Sequence, residues 1–135
     1  MSSLVGRRVV VTRAEGQAAE LARELAARGA VAVALPVIAI ADPPRWDEVD
    51  AALRRAAAGA YEWALFTSVN AVERVMRRAR ATPHAFATVP VAAVGPATER
   101  ALRAHGIVPA LVPPRHTGEE LVSRLGKGRG RVFLP

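Results

Sequence analysis

Short runs of consecutive apolar residues alternate along this chain with stretches in which apolar residues recur every third or fourth position. Val9-Val10-Val11 is such a run, β-branched throughout, and predicts a strand buried on both faces. Residues 15–28 follow with helical spacing. Ala14, Ala18, Leu21 and Leu25 share one face, and Glu24 and Arg28 stand at i,i+4 on the other. Gly29 stops that helix, residues 31–40 read as extended, and Asp42-Pro43-Pro44-Arg45 forms a turn or linker. Asp47 is expected to cap the next helix, whose Val49, Ala52, Leu53 and Ala56 point inward. A strand over 61–66 leads to a helix from Asn70 with Val72, Val75, Met76 and Ala79 inward, ended by Thr82-Pro83-His84. Residues 89–94 predict a strand, 97–105 a helix stopped by Gly106, and 107–112 a further strand. A helix over 117–125 turns Leu121, Val122 and Leu125 inward, and 131–134 is one more strand.

Strands alternating with helices, the strands almost wholly apolar, predict an α/β fold with parallel sheets flanked by helices. Gly6-Arg7-Arg8-Val9-Val10-Val11 is echoed by Gly128-Arg129-Gly130-Arg131-Val132-Phe133. The first copy continues into a helix and a second strand. The second copy stops at Pro135, which reads as a unit cut short.

Composition narrows the classes. With 51% hydrophobic and 23% charged residues over 135 positions, the chain is neither disordered nor of low complexity. The net charge is +7, and all but Lys127 of the 19 basic residues are arginine. Beside so much alanine, that bias is a mark of GC-rich codon usage, yet it still favours anionic ligands. Aromatics at 4% leave few platforms on which bases could stack. The absence of cysteine excludes disulfides, a thiol nucleophile and thiolate-held metals. The N-terminus carries no signal-like apolar stretch, and the run over 30–41 is short and broken by Pro36, so a soluble cytoplasmic protein is expected.

In open α/β sheets ligands gather at the carboxyl ends of strands, where helix N-termini offer unpaired N–H groups. The turns there hold Thr12-Arg13, Thr67-Ser68-Val69-Asn70, Gly95-Pro96-Ala97-Thr98 and, before the last helix, His116-Thr117-Gly118-Glu119-Glu120. Each supplies a hydroxyl where a helix begins. Such hydroxyls ordinarily cap helices, but their repetition along one rim points to a shared anion-binding edge. No carboxylate joins them as a general base. The three histidines lack metal-ligand spacing and read as surface residues. Gly126-Lys127-Gly128-Arg129-Gly130 reads as a flexible loop, since neither glycine-rich phosphate motif is present. Arg74, Arg77, Arg78 and Arg80 read as a solvated helix face paired through Glu73, and Tyr61 and Trp63 as packing residues.

These turns resemble uroporphyrinogen-III synthases. Gly6-Arg-Arg-Val-Val-Val-Thr-Arg13, Leu21 to Gly29 and Leu35-Pro36-Val-Ile38 are similar to the family's opening. Leu65-Phe66-Thr67-Ser68-Val-Asn70-Ala-Val72 matches its Phe-Thr-Ser segment. Val91-Ala-Ala-Val94-Gly95-Pro-Ala-Thr98 matches its Val-Gly-x-x-Thr segment, and Thr117-Gly-Glu-Glu-Leu121 the helix that follows. Order and spacing agree over essentially the whole chain.

The resemblance implies a two-lobed (HemD-like) fold truncated at the C-terminus, in a family whose members are about twice this length. Residues 1–40 would be the strand–helix–strand part of the first lobe, 41–46 a linker, and 47–135 most of an incomplete second α/β lobe. The implied reaction cyclises hydroxymethylbilane to uroporphyrinogen III with inversion of the last pyrrole ring, a lyase step of heme biosynthesis without a cofactor or metal. Thr67, Ser68 and Thr98 lead the substrate contacts that the resemblance implies. Asn70, Gly95 and Thr117 follow, with Thr12 and Arg13 from the first lobe. The family's much-discussed tyrosine proton donor would fall beyond residue 135, and Tyr61 does not match it, so this chain alone is expected to be inactive. The full-length protein is expected to be a monomer that binds neither nucleic acid nor membrane. The competing class is a small flavodoxin- or receiver-like binding module. A receiver, however, needs acidic residues where Thr12-Arg13 stands, and a flavin site needs aromatics that are scarce here. A nucleic-acid binder ranks below both.

Overall fold

The computed structural model describes residues 4–128 and 130–135. The chain divides into two compact units, Met1–Asp42 and Pro43–Pro135.

In the first unit β1 (Arg8–Val11) and β2 (Val31–Ala34) pair in parallel, Val9 opposite Ala32 and Val11 opposite Ala34. Parallel neighbours need a crossover, and α1 (Ala18–Ala27) supplies it. Glu24 and Arg28 form the expected i,i+4 pair at 2.6 Å. The helix closes as its sequence predicts. Gly29 takes φ +85°, its N–H reaches the Ala26 carbonyl at 2.9 Å, and the Ala30 N–H reaches that of Leu25 at 3.0 Å. This is a Schellman closure, which a residue with a Cβ adopts only under strain. The same pair of bonds ends two later helices, at Gly59 and Gly106.

Two expectations fail in this unit. Val9–Val11 is not buried on both faces: Val11 is 2% exposed, but Val10 is 54% and Val31, opposite Arg8 in the next strand, 56%. A two-stranded sheet with one helix has only one face to bury. Ladder pairing also ends at Ala34 rather than running to residue 40. Beyond it the Leu35 N–H bonds the Val11 carbonyl and the Val37 N–H that of Thr12, outside any ladder.

The second unit orders its three strands β4-β3-β5, all parallel: β3 (Trp63–Phe66), β4 (Val91–Ala93) and β5 (Val132–Phe133). Side chains alternate across the central strand. Ala64 and Phe66 face Leu53 of α2 (Asp47–Ala57), Val72 and Met76 of α3 (Val69–Ala79) and Leu102 of α4 (Pro96–Ala104). Trp63 and Leu65 face Leu121 and Leu125 of α5 (Gly118–Leu125). Here the sheet is covered on both sides as the pattern predicts. All three phenylalanines meet in one cluster, with Phe133 5.4 Å from Phe86 and 6.2 Å from Phe66, and Tyr61 stands edge-on at 5.7 Å.

Other details differ from the sequence reading. Residues 107–112 form no strand and touch the sheet through a single bridge, Leu111 to Ala92, because Pro109 and Pro113 lack the N–H groups that a ladder needs. Asp47 is the first helical residue rather than the cap, a place held by Trp46, and it pairs with Arg45. Val122 is 62% exposed, since α5 is eight residues long and its buried stripe is Leu121 with part of Leu125. Arg78 does not lie on a solvated face paired through Glu73. It grips Asp50 of α2 with bonds of 2.6 and 2.5 Å and lies 5.3 Å from the Trp46 ring centroid, while Glu73 sits 3.2 Å from His105. The glycine-rich loop, whose residue 129 lies outside the described residues, is held from across the unit. Gly130 donates its N–H to Glu62 Oε2 at 2.6 Å.

Candidate functional site

Because β3 and β4 are parallel neighbours, their carboxyl ends emerge side by side. The Val94 N–H still bonds the Phe66 carbonyl at 3.0 Å, carrying the pairing past both strands. Thr67-Ser68 then leads into α3, and Val94-Gly95 into α4.

Ser68 is extended, and its Oγ accepts the Ala71 N–H at 3.1 Å, so it is a true N-cap. Thr117 does the same for α5, its Oγ1 accepting the Glu120 N–H at 3.2 Å. Capping consumes an acceptor lone pair and leaves the O–H proton free to donate. Helix capping and anion binding are therefore compatible roles for one hydroxyl. Thr67 is exposed beside Ser68, and Asn70 is half-buried in the first turn of α3. Thr98 departs from the expectation that each hydroxyl stands at a helix start. Gly95 is the cap of α4, and Thr98 sits in its first turn, 4% exposed.

The third helix start joins the other two through a contact that the sequence does not announce. A Cβ on Gly95 would lie 3.2 Å from His116 Cβ and 3.4 Å from His116 Cγ. Gly95 itself is fully extended (φ −169°), so space, rather than backbone freedom, is what its missing side chain provides. His116 takes φ +47°, uncommon for a residue with a side chain, and its Nδ1 lies 2.8 Å from the Pro113 carbonyl. The starts of α3, α4 and α5 are thus gathered at one end of the β3–β4 pair.

The three helix starts differ in charge. The first turn of α3 has no acidic residue, that of α4 holds Glu99, paired with Arg103 at 2.9 Å, and that of α5 holds Glu119 and Glu120. In α5 Glu120 is held by Arg115 at 2.7 Å and Arg124 at 3.1 Å, and these bonds, that of Arg115 foremost, keep its carboxyl below its ordinary value. Each helix start adds about half a positive charge from its aligned peptide dipoles. Among the described residues no group of three or more His, Cys, Asp or Glu is placed to hold a metal ion.

Of the residues singled out in the sequence, Thr67, Ser68, Asn70, Gly95, Thr98 and Thr117 all lie at this edge of the second unit. Thr12 and Arg13 follow β1 in the first unit, where both are exposed. A cleft of about 620 Å³ lies instead beside the start of β4, lined by Met76, Arg80, His84, Phe86 and His105 among others. His116 reads in the sequence as a surface residue of the turn before α5, and nothing local in Pro-Pro-Arg-His-Thr announces its contact with Gly95.

Comparison with known proteins identifies the family. Residues 19–135 match the family model described as uroporphyrinogen-III synthase HemD. The uroporphyrinogen-III synthase of Synechococcus elongatus is 36% identical over 121 residues, which span 88% of this chain and 45% of the relative. Two crystal structures of uroporphyrinogen III synthase from Thermus thermophilus, a mutant and the wild type, superpose with TM-scores of 0.69 and 0.59. Each is 25% identical, with 96% of this chain and 51% of the solved one covered. The chain therefore spans about half the length of the proteins it matches, and it belongs to the uroporphyrinogen-III synthase family.

Proposed function

We propose that this chain forms part of a uroporphyrinogen-III synthase, in which the second unit holds the linear tetrapyrrole hydroxymethylbilane by its acetate and propionate groups. The observation that carries the reading is the convergence of the α3, α4 and α5 starts, with Ser68 and Thr117 keeping O–H donors available. Departure of the substrate's terminal hydroxyl as water leaves an electrophilic azafulvene. The last ring attacks through its substituted carbon, and the resulting spiro intermediate rearranges with that ring inverted. In this scheme the rim's work is positional. It folds a flexible polyanion so that inversion outruns direct closure to the symmetric isomer. Thr67, Ser68 and Thr98 lead the contacts, with Asn70, Gly95 and Thr117 behind them and Thr12 and Arg13 contributed by the first unit.

The break after Asp42 supports assigning residues 1–40 to one lobe, 41–46 to a linker and 47–135 to the other. Among the described residues no helix is long and apolar enough to cross a membrane, which fits a cytoplasmic enzyme acting on a small molecule. We take the full-length protein to be a monomer without nucleic-acid partners, and this chain alone to be inactive.

Isomer analysis tests the reading. Hydroxymethylbilane generated in situ is incubated with the chain, and with a chain extended to the length of its relatives. The oxidised products are then separated as types I and III. The expected result is type III from the extended chain only. Type I alone from both would sink the proposed activity.

A further inference from the structure

Glu62, one residue ahead of β3, meets the segment before β5 twice. Its N–H donates to the Arg131 carbonyl at 2.8 Å, and its Oε2 accepts the Gly130 N–H at 2.6 Å. The carboxylate lies where two side chains would otherwise stand. A Cβ on Gly128 would be 2.7 Å from Oε1, and one on Gly130 would be 2.5 Å from Oε2. Neither glycine has a positive φ, so room for the carboxylate is what both provide. β5 itself is lightly held by its ladder. It is the edge strand in the order β4-β3-β5 and pairs through two residues, Val132 opposite Trp63 and Phe133 opposite Ala64. Val132 and Leu134 are largely exposed, and Phe133 alone of the three is buried.

We propose that residues 130–135 form a strap that leaves and rejoins the sheet edge while the β3–β4 pair stays intact, and that the Glu62 carboxylate is its latch. Proteins open locally in cooperative units, and elements with few ladder bonds and exposed side chains lie at the low-stability end. The Phe133 ring is the strap's apolar anchor, and Glu62 is its polar one. A hydrogen bond to a carboxylate is about twice as strong as one between neutral groups, so this single side chain carries a large share of the hold. Release uncovers the backbone of Trp63 and Ala64 and withdraws Phe133 from Phe66, Phe86 and Tyr61. The latch is independent of what the rim binds.

Amide hydrogen exchange of the whole chain under native conditions, followed by NMR and corrected for intrinsic rates, tests this. The Glu62 N–H, bonded to the Arg131 carbonyl, reports the strap. The Ala64 N–H, bonded to the Pro90 carbonyl, and the Val94 N–H, bonded to that of Phe66, report the β3–β4 pair. The residue 62 N–H is expected to exchange at least about tenfold faster than the other two. Glu62→Gln should speed it about tenfold more and leave Ala64 and Val94 unchanged. Gly128→Ala, which fills the seat of the carboxylate, should have the same effect in the wild-type chain and add nothing to Glu62→Ala. Equal protection at residues 62 and 64 would mean that the strap opens only with the sheet, and would overturn the proposal. So would a residue 62 rate untouched by Glu62→Gln, a change spread equally to Ala64 and Val94, or a Gly128→Ala effect that persists without the carboxylate.

Discussion

The two units are built from the same grammar and differ in what covers it. In the first, the run Val9-Val10-Val11 enters a two-stranded sheet with one helix, and Val10 stays 54% exposed. In the second, Ala64-Leu65-Phe66 enters a sheet flanked by helices on both sides, and Ala64 and Phe66 are fully buried. The two runs look alike as sequence. Burial on both faces is not a property of the strand but of the layers it meets. The comparison also separates two kinds of rim: one strand end at Thr12-Arg13, against three gathered helix starts in the second unit.

The largest expected effect strikes the fuller core. Phe133→Ala removes the ring that Phe66, Phe86 and Tyr61 all touch, and should cost about 3–5 kcal/mol in denaturant unfolding. Val10→Ala in the first unit should stay within about 0.5 kcal/mol. A comparable loss at Val10 would mean that its side chain is covered in solution, and the contrast between the units would fail.

Next in size is Gly106→Ala. Its φ of +79° disfavours a side chain, and a Cβ would meet no other atom within 4 Å. The expected cost is therefore the backbone term alone, about 1 kcal/mol. The same change at Gly29 should cost more, because the new Cβ would lie 2.7 Å from Val5 Cγ2. Equal losses in thermal unfolding would show that Val5 moves aside freely.

Ser68→Ala removes the cap of α3 and is expected to cost about 1 kcal/mol. It should also weaken tetrapyrrole binding, whereas Ser68→Asp should restore stability but not binding, since it places a carboxylate at the proposed anion site. Recovery of both by Asp would reduce Ser68 to a cap.

The smallest effect is acid sensitivity. Hydrogen bonds from Arg78, Arg28 and Arg115 hold the carboxyls of Asp50, Glu24 and Glu120 below their ordinary values of 3.8, 4.5 and 4.5. Carboxylates with lowered folded values stabilise the fold above the unfolded value, and that stability is lost as pH falls through the folded one. The unfolding midpoint should thus be flat from neutral pH to about pH 5 and decline below it. Asp50→Asn should lower the plateau and make the decline shallower. These pairs are solvent-accessible, so the slope should be modest and should shrink with salt.

What was legible in the sequence was local. The endings of α1, α2 and α4 depend on one glycine and the turn before it, and Gly29 and Gly106 are recognisable from the end of a periodic stretch. The caps Ser68 and Thr117 follow from a hydroxyl just ahead of such a stretch. What escaped is long-range. Glu62 meets Gly130 from 68 residues away, Arg78 meets Asp50 from 28 away, and His116 meets Gly95 across a proline-broken loop. No periodicity encodes such contacts. The strand expected over 107–112 was lost for a related reason: its residues are apolar enough, but its prolines remove ladder donors, and the pattern of hydrophobicity does not register a missing N–H.

Binding of the tetrapyrrole carboxylates by the gathered starts of α3, α4 and α5 is the point on which the proposed function stands. Amide hydrogen exchange with and without uroporphyrin III tests it most directly. Slowed exchange at residues 68–71, 95–99 and 117–120, with little change around 80–90, is the predicted result. Protection concentrated at Arg80, His84 and His105, beside the cleft at the start of β4, would place the ligand at the wrong end of the sheet and contradict that assignment.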